Sequence, residues 1–132
     1  MPYDYKRKKI MKNLFFIALF IINISCQSQE NPNVQIIDIQ TLKTEVIGKD
    51  VQLVDVRTEN EYNRGHIDDA INISIADKEN FKEEIQKLDK TKPIYIYCHA
   101  GVRSHRASKI MTELGFTSIY DYKGGWGEWK QQ

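Results

Sequence analysis

The chain has 132 residues, which is enough for one domain with an added terminal segment but too short for two ordinary domains. Its composition is that of a globular protein, with 41% hydrophobic and 28% charged residues. The formal net charge of +1 hides an uneven distribution, because residues 1–25 hold five of the 19 Lys and Arg. The rest of the chain has 14 basic and 17 acidic side chains, a net charge of −3, which argues against a nucleic-acid-binding surface.

The first 25 residues have the pattern of a secretory signal. A cationic stretch precedes the apolar run LFFIALFII, and the small residue Ser25 follows shortly after it. Met11 also opens a compact signal of the same kind, MKNLFFIALF. The apolar run is shorter than the roughly 20 residues that a membrane-spanning helix needs. We therefore expect residues 1–25 to direct export of the chain.

The junction INISC, residues 22–26, resembles the lipobox of bacterial lipoproteins. Ser25 is the small residue expected before the cysteine, whereas Asn23 stands where the family usually has Leu. The resemblance implies that Cys26 is lipidated and that the chain is anchored to a bacterial membrane, facing the periplasm or the cell exterior. The polar residues 26–33 would then form a tether. The alternatives are a cleaved signal that leaves Cys26 as a free thiol, and an uncleaved anchor.

Strand patterns alternate with helix patterns through residues 34–132, which we interpret as one domain. Apolar and β-branched runs predict strands, and amphipathic stretches predict helices. Thr58 and Glu61 have the spacing of a capping box, so we interpret Glu61 as a helix cap. The alternation predicts an α/β fold, a mostly parallel sheet of about five strands with helices on both faces. The predicted strands are 33–39, 51–56, 70–74, 93–97 and 118–122, and the predicted helices are 39–48, 58–65, 77–89 and 104–115, followed by a closing helical turn.

Cys98 follows directly on the fourth predicted strand, at the edge of the sheet where α/β proteins bind ligands. We call residues 98–103, CHAGVR, the cysteine loop. A loop that runs from a strand into a helix can point successive backbone N–H groups inward and form an anion site. Gly101 permits a tight curl, and Arg103 adds positive charge. Such a site would stabilise a thiolate at Cys98 and make it a nucleophile. The alternative is a buried structural cysteine.

Three segments resemble the signatures of the rhodanese-like domain, in the same order and with similar separations. They are LVDVRTENEYNRGHIDDAINI at residues 53–73, YIYCHAGVRS at 95–104 and YDYKGGWGEW at 120–129. The resemblance covers roughly residues 35–130. The Pro-Gly that the family has before Ala70 is replaced here by Asp68 and Asp69. The resemblance implies a rhodanese-like fold and sulfurtransferase activity.

The resemblance also implies a role for each matching residue. Cys98 would attack the outer sulfur of thiosulfate or a persulfide and pass that sulfur, as a cysteine persulfide, to a thiol or to cyanide. Arg103 would attract and orient an anionic donor, while Asp55 and Arg57 would support the loops by ion pairing. The substrate-binding residues, whose backbone N–H groups would hold the persulfide, are His99, Ala100, Gly101, Val102 and Arg103.

The length of the cysteine loop distinguishes this chemistry from related ones. Related phosphatases and arsenate reductases use a C-x5-R loop, whereas four residues separate Cys98 from Arg103, a length that suits a sulfur atom. We expect no metal, because Cys98, His99 and His105 lack a recognised ligand spacing, and no other cofactor. The expected partners are a small sulfur donor, a thiol acceptor and a membrane, and we expect a monomer. The alternative function is a non-enzymatic carrier of sulfane sulfur or a redox-docking module.

Overall fold

The computed structural model describes residues 31–132. The predicted signal at 1–25, Cys26 and residues 26–30 of the tether lie outside the described residues. Within residues 31–132, no helix is long and apolar enough to cross a membrane. In chain order the elements are β1 Val34–Ile37, α1 Ile39–Glu45, β2 Gln52–Asp55, α2 Glu59–Asn63, β3 Ile71–Asn72, α3 Lys78–Ile85, β4 Ile94–Tyr97, α4 Val102–Glu113, β5 Ile119–Tyr122 and α5 Gly125–Trp129.

The strands form one five-stranded sheet in the order β1-β5-β4-β2-β3, and every pairing is parallel. The predicted fold class is therefore confirmed, although β3 has only two residues. All strands of a parallel sheet end at the same edge, and β4 lies in the middle of this one. The loops that follow β2, β4 and β5 are consequently brought together at that edge.

Helices cover both faces of the sheet, because successive residues of a strand point to opposite sides. In β4, Ile94 and Ile96 face the α3 and α4 side, and Cys98 continues that row beyond the strand. Tyr95 and Tyr97 face the other side, where Leu42 of α1 and the tryptophans of α5 pack. Each of the four β4 side chains is buried, which explains why this segment reads as a continuous apolar run.

The helix N-termini differ in a way that matters for the site. Asp38 caps α1 and Asp77 caps α3, and the predicted capping box of Thr58 and Glu61 at α2 is confirmed. No side chain caps α4, which begins at Val102 instead of the predicted Ser104. The helix starts early because Gly101 adopts φ +93° and turns the chain directly into the first helical turn. The N–H groups of that turn therefore remain available to a ligand.

Candidate active site

The Cys98 side chain lies at the carboxyl end of the central strand, beneath the start of α4. Only 1% of the residue is exposed, and the backbone N–H of Gly101 donates to its Sγ at 3.1 Å. The Ser104 hydroxyl oxygen is 3.6 Å from the same sulfur. The Gly101 donor, together with the positive end of a twelve-residue helix, favours a negative charge on the sulfur.

The residues predicted to bind substrate follow Cys98 directly as one segment of backbone. His99 and Ala100 are exposed, Gly101 forms the turn, and Val102 and Arg103 belong to the first turn of α4. Because the first N–H groups of a helix have no partner within it, those of Val102 and Arg103 are oriented toward the helix N-terminus. Of this segment, the Gly101 N–H is the backbone donor within hydrogen-bond distance of the Cys98 sulfur, and the binding role of His99 to Arg103 stays a prediction.

The cysteine loop is held in place by α5. Trp126 N–H donates to the Cys98 carbonyl at 2.8 Å, and Gly127 N–H donates to the His99 carbonyl at 3.0 Å. A side chain at Gly125 would collide with the Cys98 and His99 carbonyl oxygens, and its φ of +60° also favours glycine. The sequence predicted only a helical turn here, so the contact with the loop is a new finding. The adjacent Gly124 and Gly125 were the only local sequence feature that indicated a close backbone approach.

Arg103 makes a bidentate ion pair with Glu61, at 2.6 and 2.8 Å. The same carboxylate accepts from the backbone and hydroxyl of Thr58. The Arg103 hydrogen bonds, with those of Thr58, lower the pKa of Glu61 to about 2. Glu61 is therefore both the predicted helix cap and a clamp that joins α2 to α4. The second role could not be read from the sequence, because the partners are 42 residues apart.

Asp55 and Arg57 form a buried pair at the end of β2, with 0% and 2% of each residue exposed. The Arg57 guanidinium donates to Asp55 through Nε and Nη2, the latter at 2.6 Å, and to the Gly65 carbonyl at 2.7 Å. Its Cζ lies 5.0 Å from the centroid of the Trp126 ring. The pair thus connects β2 to α5, which in turn holds the cysteine loop. Both side chains are buried and bound to other groups of the protein.

A groove opens beside the cysteine loop, between the ends of β1 and β5. Its volume is about 520 Å³, and Ala100 forms part of its wall. Lys123 contributes an exposed cation to this groove, and the acidic residues Asp38 and Glu128 also line it. The exposed Val102 side chain begins α4 on the outer surface of the loop. A small molecule therefore has a concave approach to this edge of the sheet.

The chain is similar to known proteins in sequence and in fold. The family model described as rhodanese-like domain matches residues 38–132. The thiosulfate sulfurtransferase GlpE of Shewanella oneidensis is 36% identical over 83 residues, which cover 63% of this chain and 79% of the relative. A rhodanese-like domain protein from Staphylococcus aureus superposes with a TM-score of 0.63 at 29% identity, covering 72% of this chain and 90% of that one. The human single-domain sulfurtransferase TSTD1, at a TM-score of 0.61 and 22% identity, covers 78% and 98% respectively and supports the fold alone.

Proposed function

Because the chain belongs to the rhodanese-like domain family and is an enzyme of the sulfurtransferase type, we propose that Cys98 carries sulfane sulfur as a persulfide. The observation that supports this most directly is the Gly101 N–H at 3.1 Å from the Cys98 sulfur. A backbone donor directed at a cysteine sulfur, at the N-terminus of an uncapped helix, is suited to a thiolate. The same donors suit the terminal sulfur anion of a persulfide.

The proposed reaction has two nucleophilic displacements. In the first, the Cys98 thiolate attacks the outer sulfur of thiosulfate, a new S–S bond forms, and sulfite leaves with the electron pair of the broken S–S bond. In the second, an acceptor thiolate attacks the outer sulfur of the persulfide and releases the Cys98 thiolate. Cyanide can replace the thiol and leaves as thiocyanate. Neither displacement needs a redox cofactor, since sulfur passes as a neutral atom between nucleophiles.

The binding roles follow from the same geometry. We assign the persulfide to the N–H groups of His99, Ala100, Gly101, Val102 and Arg103. The Arg103 side chain is paired with Glu61, so its main contribution is to fix the loop. Its positive charge, partly offset by the Glu61 carboxylate, also attracts an anionic donor. Lys123, on the wall of the neighbouring groove, is a second cation for an anionic donor or a carboxylate-bearing thiol.

Thiocyanate formation tests the proposal. The chain lacking residues 1–26, incubated with thiosulfate and cyanide, should produce thiocyanate and sulfite in equal amounts, and Cys98→Ser should reduce the rate to background. Thiocyanate production that survives the substitution would remove Cys98 from the mechanism. A stable persulfide on Cys98 with no turnover on any small donor would favour the carrier alternative.

We also propose that the chain is exported and anchored to a bacterial membrane through a lipid on Cys26, and that it acts as a monomer facing the periplasm or the cell exterior. The support is the signal pattern of residues 1–25 and the lipobox-like INISC. Mass spectrometry of the mature N-terminus tests the anchor. An N-terminal peptide that begins at unmodified Cys26 would contradict it.

A further inference from the structure

A buried carboxyl group that the proposed reaction does not use lies beneath the candidate site. Asp121 in β5 is 1% exposed, and within residues 31–132 its Oδ1 has no hydrogen-bond partner. A buried carboxylate oxygen without a partner is costly, so native proteins retain one only where it has a use or is neutralised. The carboxyl group of Asp121 is therefore a candidate for a functional role.

The sheet register places Asp121 on the same face as Cys98. Asp121 pairs with Ile96 across β4 and β5, and Cys98 is the next residue of that row. The buried side chain of Ser104 comes down onto this face from α4. Its hydroxyl oxygen lies 3.6 Å from the Cys98 sulfur and donates to the Gly101 carbonyl at 3.2 Å, and its influence also lowers the pKa of Asp121. Ser104 therefore stands between the nucleophilic sulfur and the buried acid.

We propose that Asp121 is a positioning residue that holds, through the Ser104 hydroxyl, the proton that Cys98 gives up when its thiolate forms. The Ser104 hydroxyl first turns from the Gly101 carbonyl toward Asp121. The S–H bond of Cys98 then breaks as its proton passes to Ser104 Oγ, while the original hydroxyl proton of Ser104 passes to an Asp121 oxygen. The products are a thiolate, an unchanged hydroxyl and a neutral carboxylic acid. No electron is transferred, and no other reactant is required.

The hydrogen bonds reverse consistently after the transfer. With the thiol form, Ser104 accepts from Cys98, and its hydroxyl reaches the Gly101 carbonyl at 3.2 Å. With the thiolate form, the protonated Asp121 donates to Ser104, and the proton that Ser104 received from Cys98 remains directed at the sulfur. The neutral carboxyl group also removes the unpartnered charge from the apolar core.

The charges around the acid are consistent with its holding a proton. Burial raises the pKa of Asp121, while the Ser104 hydrogen bond and the charge of His105 on α4 oppose that rise. The β-sheet neighbours Ile96 and Ile36 are uncharged. Arg103, the cation of α4 that interacts with Cys98, is paired with Glu61 of α2.

The test uses the full chain in detergent with Cys26→Ser, so that only Cys98 reacts with iodoacetamide. The rate of alkylation against pH should rise in two steps, because two groups share one proton. Asp121→Asn keeps the size of the side chain but cannot hold the proton, so the rate should rise in one step. At about pH 8 this variant should react several-fold faster, since no ionised Asp121 opposes the thiolate.

Two further outcomes test the route. In a Ser104→Ala background, Asp121→Asn should not change the alkylation profile any further. A change that persists in that background would overturn the path through Ser104. In Cys98→Ala, the carboxyl carbon signal of Asp121 should titrate at lower pH than in the parent chain, because coupling is reciprocal. An unchanged signal, or a one-step alkylation profile in the parent, would overturn the proposal.

The inference rests on the proposed role of Cys98 as the nucleophile, but its test does not measure sulfur transfer. The two proposals therefore fail separately. A two-step profile would stand if thiocyanate were not formed, and thiocyanate formation would stand if the profile had one step.

Discussion

Gly101 and Gly115 share a φ of +93°, but their surroundings differ. A Cβ added at Gly115 would meet nothing within 4 Å, whereas one at Gly101 would come 3.0 Å from the Lys123 carbonyl oxygen. Gly101 also supplies the N–H that reaches the Cys98 sulfur. Gly115 is therefore needed only for its backbone conformation, whereas Gly101 is needed both for its backbone conformation and for the contacts of the site.

We expect Gly101→Ala to lower sulfur transfer by at least about tenfold, because relief of the strain turns the N–H away from the sulfur. Because both glycines have a left-handed backbone, each substitution should lower the free energy of unfolding by roughly 1–2 kcal/mol. Gly115→Ala should nevertheless leave sulfur transfer unchanged. Thiocyanate assays and urea unfolding of both variants check this. Equal losses of activity in the two variants would mean that only general stability matters.

At the scale of elements, two cross-links position the loop between β4 and α4. Glu61 clamps α4 to α2 through Arg103, and the backbone of Trp126 and Gly127 in α5 holds the loop carbonyls. The loop is thus fixed from two sides by elements that are distant in sequence. Such fixing keeps the N–H donors aligned before a substrate arrives, which is the form of preorganisation that catalysis requires.

Glu61→Gln should lower the free energy of unfolding at neutral pH by on the order of 1–2 kcal/mol, allowing for the partial exposure of the pair. The pKa of Glu61 is held at about 2, below its ordinary 4.5, so its stabilisation is complete above that ordinary value. The difference between wild type and variant should shrink as the pH falls from about 4.5 toward 2. Urea unfolding across this range measures it.

Glu79→Gln is the matched control, because Glu79 pairs with Lys82 on the surface of α3 and is 82% exposed. Its effect should be close to zero at every pH. A Glu61→Gln loss as small as that of this control would show that the clamp does not stabilise the domain.

Much of this element arrangement could be predicted from the sequence. Residues 93–97 form a continuous apolar run, which predicted a buried strand, and Cys98 directly after it predicted a site at the sheet edge. The pairing of Glu61 with Arg103 and the seat of α5 on the loop could not be predicted, because both depend on how distant segments meet. The early start of α4 was missed because Gly101 replaces the side-chain cap that usually marks a helix N-terminus.

For the whole molecule, the acidic side chains make the free energy of unfolding depend on pH in two opposite directions. Hydrogen bonds from Thr41 and from Thr91 lower the pKa values of Asp38 and Asp89, so these carboxylates, like Glu61, stabilise the fold until acid protonates them. Burial raises the pKa of Asp121, so the folded state holds its proton more tightly than the unfolded chain. Its contribution is therefore most favourable at low pH and declines as the pH rises.

We expect Asp121→Asn to remove this decline. The free energy of unfolding of the wild type, minus that of the variant, should fall as the pH rises from about 4 to about 8. Asparagine does not titrate, so any constant effect of the amide cancels in this slope. Chemical unfolding at several pH values measures it, and a difference that is flat across the range would contradict a raised pKa at this position.

The docking of α5 on the cysteine loop also has a consequence for biosynthesis. Residues 98–103 leave the ribosome before residues 125–129, so β4 and α4 can begin to form while the Cys98 and His99 carbonyls still lack their partners. These two carbonyls gain their hydrogen-bond partners only once α5 is in place. The last segment of the chain thus completes the backbone hydrogen bonding of a loop that was synthesised more than twenty residues earlier.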